Sequence, residues 1–488
     1  MAKLFPKQDV RARRELIING NPVRVLLMLS LPTIMMALVQ SLIPLTDGLF
    51  LNNEAGYVVA AAVGFCNPII NMLNALSQGI ATAAMAMIGQ MNGRGDLAGV
   101  RRLSAQIVVF GFLAGIVMMP LSLLTAFIVS GTQEPELGHN ILIYMSLYTL
   151  VLPFLFMSAI YNAIKNGTGQ PESTFYRMIV LLALKVSFNT LYLTILKMGI
   201  VGAALASLSA YIMVVVWMYV DLFVRRGEMR LTLKHFRFDR ESIRQLMKLG
   251  IPTMLSSMMI NLGFFLINTE VASYGTVVLN AQTISSNINS MAFTLPSSIG
   301  TTVTTMVSIN IAARSEKKAR RAFFSGVVVS SVIALLLIGL FRVFSPALVR
   351  LFLNNPEQSE ALKQQIYNIA VPALNIYTVS IVGFGIFSVV QGAFIGLAKT
   401  RIPLLAGFLR IWLFRYVFIL AFRHLMGVYS VFWGNVFSNY MAALIFFIIL
   451  MKSDWYKNVI YQDESEGIEQ RQQDRRQAGT VPPKKEDS

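Results

Sequence analysis

The chain has 488 residues, of which 55% are hydrophobic and only 13% carry a charge. A soluble protein of ordinary composition carries about 25% charged residues, so a soluble globular fold is excluded. Apolar runs of about 18 or more residues recur along the whole chain, and each is long enough to cross a bilayer as a helix. The composition therefore predicts an all-α polytopic membrane protein.

The first apolar run begins near Val23 and is much longer than the core of a signal peptide. Because many similar runs follow it, we predict no cleaved signal. Twelve runs in all predict transmembrane helices, six in each half of the chain. We place them at residues 23–51, 58–91, 104–130, 141–164, 174–196, 199–224, 246–273, 278–311, 323–349, 364–395, 402–422 and 428–451.

Composition along the chain predicts five consecutive parts. They are an N-terminal segment 1–22, an N-lobe 23–224 with six spans, a linker 225–245, a C-lobe 246–451 with six spans, and a tail 452–488. The tail is rich in charged residues and glutamine and poor in apolar residues, which predicts disorder.

The formal net charge of +17 is distributed unevenly between the two sides of the predicted bundle. Of the 41 Lys and Arg, 26 lie in the N-terminal segment and in alternate loops. Such a bias marks the cytoplasmic side of a membrane protein, so we expect both termini in the cytoplasm and a plasma-membrane location. Nucleic-acid binding would need a basic face on a folded domain, and the sequence indicates none.

The two halves share sequence motifs in the same order. Residues 29–33, Leu-Ser-Leu-Pro-Thr, open the first half, and residues 249–253, Leu-Gly-Ile-Pro-Thr, open the second. A loop ending in two arginines follows the second span of each half, at 101–102 and at 320–321. Six spans return the chain to its starting side, so both halves enter the membrane in the same orientation. Such parallel repeats predict two lobes related by a pseudo-twofold axis along the membrane normal, with a central cavity between them.

Pro32 and Pro252 occupy matching positions inside the first helix of each predicted lobe. A proline inside a helix removes a backbone hydrogen bond and favours a kink. We predict that both residues act as hinges when the lobes rock, and a static kink is the alternative.

The side chains needed for metal binding or covalent catalysis are scarce. Cys66 is the only cysteine, and the three histidines, His139, His235 and His424, lie far apart in loops or at span ends. The sequence therefore predicts no disulfide framework, no metal site and no enzyme activity.

Asp47 and Glu270 are the two acidic residues placed well inside predicted spans. A carboxylate in hydrocarbon is costly and usually belongs to an ion or substrate pathway. Asp47 can bind a cation or take up a proton, or it can be a structural residue paired with a neighbouring helix. Glu270 lies near the outer end of its span, where an interfacial carboxylate needs no transport role.

Lys185 lies in the middle of the fifth predicted span, and Asn189 follows one turn later on the same helix face. At about 1.5 Å per residue from the outer helix ends, Asp47 lies about 8 Å, Asn189 about 12 Å and Lys185 about 18 Å deep. This leaves direct contact between Asp47 and Lys185 open. Pairing of the lysine with backbone carbonyls is the alternative.

The eleventh predicted span carries two further charges. Arg410 and Arg415 are five residues apart, a spacing that places them on different faces of an α-helix. We expect both to pair with helix ends or with lipid headgroups.

Several motifs together are typical of one transporter family. They are Pro32 followed fifteen residues later by Asp47, Gly-Gln-Met-Asn-Gly at 89–93, Gly-Thr-Gly-Gln-Pro at 167–171, and the segment 275–282 running into Pro-Ser-Ser-Ile-Gly at 296–300. Over about residues 15–452 the chain resembles the MATE (multidrug and toxic compound extrusion) family. The resemblance implies a secondary antiporter of two six-helix lobes, which exports organic cations and other xenobiotics in exchange for sodium ions or protons.

The resemblance also implies a cation site in the N-lobe. It would comprise Asp47, Asn189 and a small hydroxyl on the sixth helix, here Ser207. The family usually has a second polar residue, often asparagine, one turn before Asn189, whereas this chain has Lys185. An ammonium 4 Å from a sodium ion repels it by about 4 kcal/mol at an effective dielectric constant of about 20. We therefore expect protons rather than sodium as the coupling ion, and no cofactor.

For the sodium-exchanging branch of the family, the resemblance implies a second site, in the C-lobe, that is built on two carboxylates. The corresponding positions read Ile260 and Phe384 here, so the resemblance implies that this sodium site is absent. Glu270 and Gln282 are further candidates for the lining of the substrate cavity.

Three other functions are alternatives. A flippase for lipid-linked sugars, from the same superfamily, would favour a lipid-open cavity with several arginines, and intramembrane cations are few here. A channel or scaffold would not explain the paired lobes and the prolines of their first helices. An enzyme acting on lipids would need a His, Ser or Cys constellation. We predict a monomer whose partners are the lipid bilayer and small organic cations or xenobiotics.

Overall fold

The computed structural model describes most of the chain. The described ranges are 9–51, 57–131, 135–225, 227–234, 236–353, 359–456 and 459–460. His235 and the part of the predicted tail beyond residue 460 lie outside the described residues.

The first half of the described chain folds into eight α-helices. They are α1 (Val10–Asn19), α2 (Pro22–Phe50), α3 (Tyr57–Gly93), α4 (Leu97–Ser130), α5 (Pro135–Thr149), α6 (Leu152–Gly167), α7 (Pro171–Asn189) and α8 (Gly199–Tyr219). Two short π-helices, Thr190–Ile195 and Val220–Val224, extend α7 and α8.

The second half of the described chain folds into seven α-helices. They are α9 (Arg240–Ala272), α10 (Thr276–Ala312), α11 (Glu316–Phe352), α12 (Glu360–Gly396), α13 (Arg401–Phe408), α14 (Val417–Met426) and α15 (Tyr429–Lys452). The π-helix Leu409–Tyr416 joins α13 to α14, so these three segments form one continuous span.

The helices confirm the predicted all-α polytopic class. Within the described residues, ten helical stretches are long and apolar enough to cross a membrane, and the bent pair α5 and α6 makes an eleventh. The remaining predicted span is α10, which has 37 residues. It is rich in Ser, Thr and Asn because one of its faces meets the other lobe.

The lobes contact each other through two matching helix pairs. α2, the first helix of the N-lobe, packs against α10, the second helix of the C-lobe. Conversely, α9, the first helix of the C-lobe, packs against α3, the second helix of the N-lobe. This exchange of partners is what a pseudo-twofold axis between the lobes requires.

We call the side of the bundle that carries the connections 94–96, 168–170, 313–315 and 397–400 the basic face, and the other side the opposite face. Two hydrophobic clusters toward the basic face contain side chains from both lobes. Three clusters toward the opposite face are each confined to one lobe. The described parts of the lobes therefore meet at the basic face and separate toward the opposite face.

Close backbone packing holds the lobes together at the basic face. Gln90 of α3 donates from Nε2 to the carbonyl oxygen of Gly396 at 3.0 Å. A Cβ atom at Gly79 would lie 2.5 Å from Met254 Cγ and 2.7 Å from the Met254 backbone nitrogen. α3 and α9 can approach this closely only because Gly79 has no side chain.

Both helices that carry the predicted hinge prolines continue through them, α2 past Pro32 and α9 past Pro252. The threonine that follows the second proline reaches across the lobe boundary, because Thr253 Oγ1 lies 2.7 Å from the carbonyl oxygen of Gly79. The hinge role of the two prolines stays a prediction.

Gly79→Ala should disturb the contact between α3 and α9. The added methyl group would meet the backbone of Met254, and we expect this overpacking to lower the free energy of unfolding by about 1–3 kcal/mol. Gly64→Ala on the same helix is the matched control, since no atom lies within 4 Å of a Cβ placed there. Thermal unfolding of the purified protein should give a lower Tm for Gly79→Ala only; equal Tm values would contradict the close approach.

Candidate functional site

Four polar side chains from three helices of the N-lobe meet near the end of α2. Lys185 Nζ lies 2.7 Å from Asp47 Oδ2, and Asn189 Nδ2 donates to Asp47 Oδ1 at 2.8 Å. Lys185 also donates to Ser207 Oγ at 2.8 Å. The structure thus brings all four predicted ion-coupling residues together, and the contact that the sequence left open is direct.

The local structure of α7 explains how two of these side chains reach one carboxylate. Lys185 and Asn189 are four residues apart and therefore lie on the same face of the helix. Directly after Asn189 the chain widens into the π-helix Thr190–Ile195. Such wide turns occur frequently at functional sites.

Solvent reaches the two members of this ion pair unequally. The side chain of Lys185 is 6% exposed, whereas that of Asp47 is 27% exposed. Removing one partner of a fully buried pair costs about 3–5 kcal/mol, because the other charge stays buried without a counter-ion. Here the cost falls to about 1–3 kcal/mol, since water screens part of the Asp47 charge.

A second buried ion pair lies nearer the basic face and was missed by the sequence analysis. Lys165 Nζ is 2.7 Å from Asp221 Oδ2, and the Tyr161 hydroxyl donates to the same oxygen at 2.9 Å. Both charged residues lie near the ends of predicted spans, where charges are common. Nothing in the sequence indicates that these two ends touch.

A cavity of about 290 Å³ lies between the lobes. Its walls come from α2, α3 and α6 of the N-lobe and from α10 and α12 of the C-lobe, and its polar lining is uncharged. The polar lining residues are Gln78, Thr82, Asn162, Asn166, Ser297, Thr301, Thr304, Ser388 and Gln391. Met36, Met85, Ile395 and small residues complete the wall. This combination of apolar surface and uncharged hydrogen-bonding groups suits a small-molecule ligand.

The two residues predicted to line the substrate cavity do not line this one. Glu270 lies near the end of α9 at the opposite face, where its Oε1 is 3.4 Å from Arg423 NH1. Gln282 is buried inside the C-lobe, where its Oε1 accepts a hydrogen bond from the Tyr377 hydroxyl at 2.7 Å. The structure therefore gives Glu270 an ion pair at the opposite face of the C-lobe, and it turns Gln282 toward α12 instead of toward the N-lobe.

The C-lobe interior carries two buried arginines. Arg410 and Arg415 are 5% and 4% exposed, and both lie in the π-helix Leu409–Tyr416. Because π-helical hydrogen bonds run from residue i to i+5, residues five apart lie nearly one turn above each other. The prediction that they lie on different faces is therefore wrong. The prediction that they reach helix ends or lipid headgroups is also wrong, because both side chains are buried inside the lobe.

The neighbours of these arginines are neutral. Arg410 NH1 donates to Asn439 Oδ1 at 2.9 Å, and its guanidinium lies 5.0 Å from the ring centroid of Phe387. Arg415 NH2 donates to the Tyr377 hydroxyl at 3.4 Å. Among the described residues, no carboxylate pairs with either arginine, so a further cation would be repelled from this part of the C-lobe.

A family model described as MatE matches residues 32–191 and 252–420, which together make up more than half of the chain. The chain belongs to the MatE family. The two matched blocks begin at Pro32 and Pro252, the equivalent positions of the internal repeat. Members of the MatE family are membrane transporters, so the predicted class, a transporter and not an enzyme, is confirmed.

Curated relatives and a solved structure agree with this assignment to the MatE family. Probable multidrug resistance protein YoeA of Bacillus subtilis is 23% identical over 335 residues, which are 67% of this chain and 72% of the relative. Probable multidrug resistance protein YpnP of the same organism is 22% identical over 453 residues, covering 90% and 96%. An outward-facing multidrug resistance MATE transporter of the MOP superfamily matches with a TM-score of 0.82 at 21% identity, over 89% of this chain and 96% of that one. At this identity the last comparison supports the fold alone.

Removal of one member of the N-lobe ion pair should destabilise this MatE protein more than removal of both. Asp47→Asn leaves the Lys185 ammonium buried without a counter-ion, and Lys185→Met leaves Asp47 half-buried without one. We expect each single substitution to lower the free energy of unfolding by about 1–3 kcal/mol and the double substitution to recover most of that loss. Thermal unfolding in detergent measures all four proteins, and strictly additive effects would contradict the pairing.

Proposed function

We propose that this protein is a secondary antiporter that exports small organic cations in exchange for protons, with Asp47 as the residue that carries the proton. The observation that carries the proposal is the position of the Lys185 ammonium, 2.7 Å from Asp47. The space beside Asp47 that a metal cation would need is already filled by a charge of the protein itself. Relatives named as multidrug resistance proteins support the export of small molecules.

The charge distribution supports a location in the plasma membrane with the basic face in the cytoplasm. Loops of this side carry most of the Lys and Arg, as is usual for cytoplasmic loops. Both termini would then be cytoplasmic, and the separated sides of the lobes would face outward. In this proposal the protein works as a monomer and needs no cofactor besides the coupling proton.

Proton and substrate would exclude each other through charge. With Asp47 ionised, the pair of Asp47 and Lys185 is neutral overall, and a cationic substrate meets no net repulsion. When Asp47 takes up a proton, Lys185 loses its counter-ion and the site becomes positive. A cationic substrate that comes within 4 Å of Lys185 would be repelled by about 4 kcal/mol at an effective dielectric constant of about 20. Protonation would therefore expel a cationic substrate from the neighbourhood of Lys185.

Proton uptake would also be coupled to movement of the lobes. It leaves Lys185, whose side chain is 6% exposed, as a buried ammonium without a counter-ion. A rearrangement that hydrates this ammonium is then favoured, and only the hydrogen bond to Ser207 is retained. One proton driven by a potential of about 150 mV supplies about 3.5 kcal/mol, which is similar to the effect of unpairing the two residues.

The same arrangement argues against sodium as the coupling ion. In the N-lobe, a sodium ion beside Asp47 would also lie beside Lys185. In the C-lobe, the position of an expected carboxylate is taken by Phe384, whose ring stacks on Phe293 at 4.2 Å between centroids. The guanidinium of Arg410 lies 5.5 Å from that same ring of Phe384. This positive charge beside Phe384 argues against sodium binding in the C-lobe.

The flippase alternative lacks comparable support. It would need a lipid-open cavity with several arginines to bind a lipid phosphate. The cavity between the described parts of the lobes is lined by no charged side chain. The two arginines of the C-lobe are buried inside that lobe.

Asp47→Asn should abolish proton-driven export. In proteoliposomes with an imposed pH gradient, we expect the wild type to move several fluorescent organic cations. The variant should lose at least tenfold in rate, because its site can no longer load a proton. Glu270→Gln is the matched control, since it removes the second of the two carboxylates predicted well inside spans, which pairs with the exposed Arg423. Full pH-driven transport by Asp47→Asn would contradict the role of Asp47.

Sodium should not replace the proton gradient. With the pH gradient collapsed by a protonophore, an imposed sodium gradient should drive no export by the wild type, because Lys185 repels the ion. The same fluorescent cations and vesicles provide the measurement. Sodium-driven export under these conditions would show that the coupling ion has been assigned wrongly.

A further inference from the structure

A second cavity, of about 470 Å³, opens at the basic face between the first turns of α4 and the segment that links α8 to α9. Its volume falls within the usual range of small-molecule sites. We call it the linker pocket. Half of its ten lining residues are cationic, and none is acidic. The cationic residues are Arg101, Arg102, Arg230, Lys234 and Arg237.

One buried side chain fixes the linking segment over this pocket. Gln106 of α4 is 2% exposed. Its Nε2 donates to the carbonyl oxygen of Arg237 at 2.9 Å, and its Oε1 accepts from the backbone nitrogen of Asp239 at 2.8 Å. On the other side, Arg230 Nε donates to the carbonyl oxygen of Phe223 at 3.0 Å. The wall of the pocket is thus held in place independently of any ligand.

None of the five cations of the linker pocket forms an ion pair with a described carboxylate. Asp239 follows the pocket in sequence, but its carboxylate is engaged in starting α9. The Ser242 hydroxyl donates to it at 2.7 Å and the backbone nitrogen of Glu241 at 3.1 Å. These hydrogen bonds, with a smaller effect from the charge of Arg102, hold the pKa of Asp239 below its usual value.

At the corresponding end of the C-lobe, the equivalent arginine is covered by neighbouring side chains. Arg320 occupies the position equivalent to Arg101. It pairs with Glu316 at 2.6 Å and lies 4.7 Å from the ring centroid of Trp455. The N-lobe residue equivalent to Glu316 is Leu97. The N-lobe therefore lacks the acid that neutralises the arginine in the C-lobe. The positive charge of Arg101 stays available to a ligand.

Exposed apolar side chains lie beside the linker pocket. Leu233 is 44% exposed and Phe238 is 50% exposed, and each is next in sequence to a cationic lining residue. A segment that presents basic and apolar side chains together is suited to the headgroup layer of a membrane. Basic pockets on the cytoplasmic side of membrane proteins bind the phosphates of anionic lipids.

We propose that the linker pocket binds the phosphate headgroup of an anionic membrane lipid. Arg101 and Arg237 hold the phosphate, and Leu233 and Phe238 contact the apolar part of the lipid. Guanidinium groups suit this task because they present paired N–H donors to phosphate oxygens. A free phosphate ion shares this chemistry but makes no use of the apolar side chains. The bound lipid connects α4 of the N-lobe to the segment that leads into the C-lobe.

The test uses the full-length protein, freed of lipid by detergent exchange, and native mass spectrometry as the readout. The probes are phosphatidylglycerol and phosphatidylcholine with identical acyl chains. We expect the wild type to bind phosphatidylglycerol at least tenfold more tightly than phosphatidylcholine. Arg101→Gln/Arg237→Gln should reduce this preference to less than threefold, because the phosphate loses both guanidinium partners.

Lys317→Gln/Arg321→Gln is the matched control, because it removes two exposed cations from the equivalent end of the C-lobe. It should keep the full preference, and both variants should unfold at the wild-type temperature in the absence of lipid. Equal binding of the two lipids by the wild type would overturn the proposal, whatever the variants do. So would equal losses in both variants. Displacement of phosphatidylglycerol by millimolar inorganic phosphate, at matched ionic strength, would overturn the assignment to a lipid and identify a soluble phosphate ligand.

Discussion

The constraint on which the rest of the structure depends is the placement of one carboxylate and one ammonium inside the N-lobe. Either charge alone would be strongly unfavourable in a low-dielectric interior, but Asp47 and Lys185 at 2.7 Å form a neutral unit. α2, α7 and α8 must therefore keep a fixed spacing and rotation around this pair. The same helices leave Asp47 partly exposed, so a proton can reach the carboxylate while the ammonium stays covered.

The internal repeat gives the two lobes the same helices but not the same charges. The N-lobe holds an ion pair whose net charge changes when one proton binds. The C-lobe holds Arg410 and Arg415, whose guanidinium groups keep their protons at physiological pH. Under the proposed function, the proton-binding carboxylate belongs to the N-lobe, and the two arginines exclude cations from the C-lobe interior.

Sequence reasoning succeeded where the signal is an average over many residues or a short helical spacing. The spans and the basic loops follow from composition over windows of about 20 residues. The four-residue spacing of Lys185 and Asn189 placed both on one helix face, and the family resemblance added Asp47 and Ser207. The depths of about 8 Å for Asp47 and about 18 Å for Lys185 left their direct contact open. Sequence reasoning failed where the rotation of a side chain around its helix decides which groups it contacts. Arg410 and Arg415 were assigned α-helical geometry, although a π-helix forms there.

The closed basic face depends on close packing rather than on charge. None of the ion pairs formed between described residues joins one lobe to the other, and α3 meets α9 through the bare backbone at Gly79. Packing contacts of this kind are individually weak, and their loss leaves no buried charge without a partner. Separation of Asp47 from Lys185 does leave a buried charge without a partner. The proposed antiporter needs this difference: the interface can open readily, and the charge state of the N-lobe then decides which of the two arrangements of the lobes is more stable.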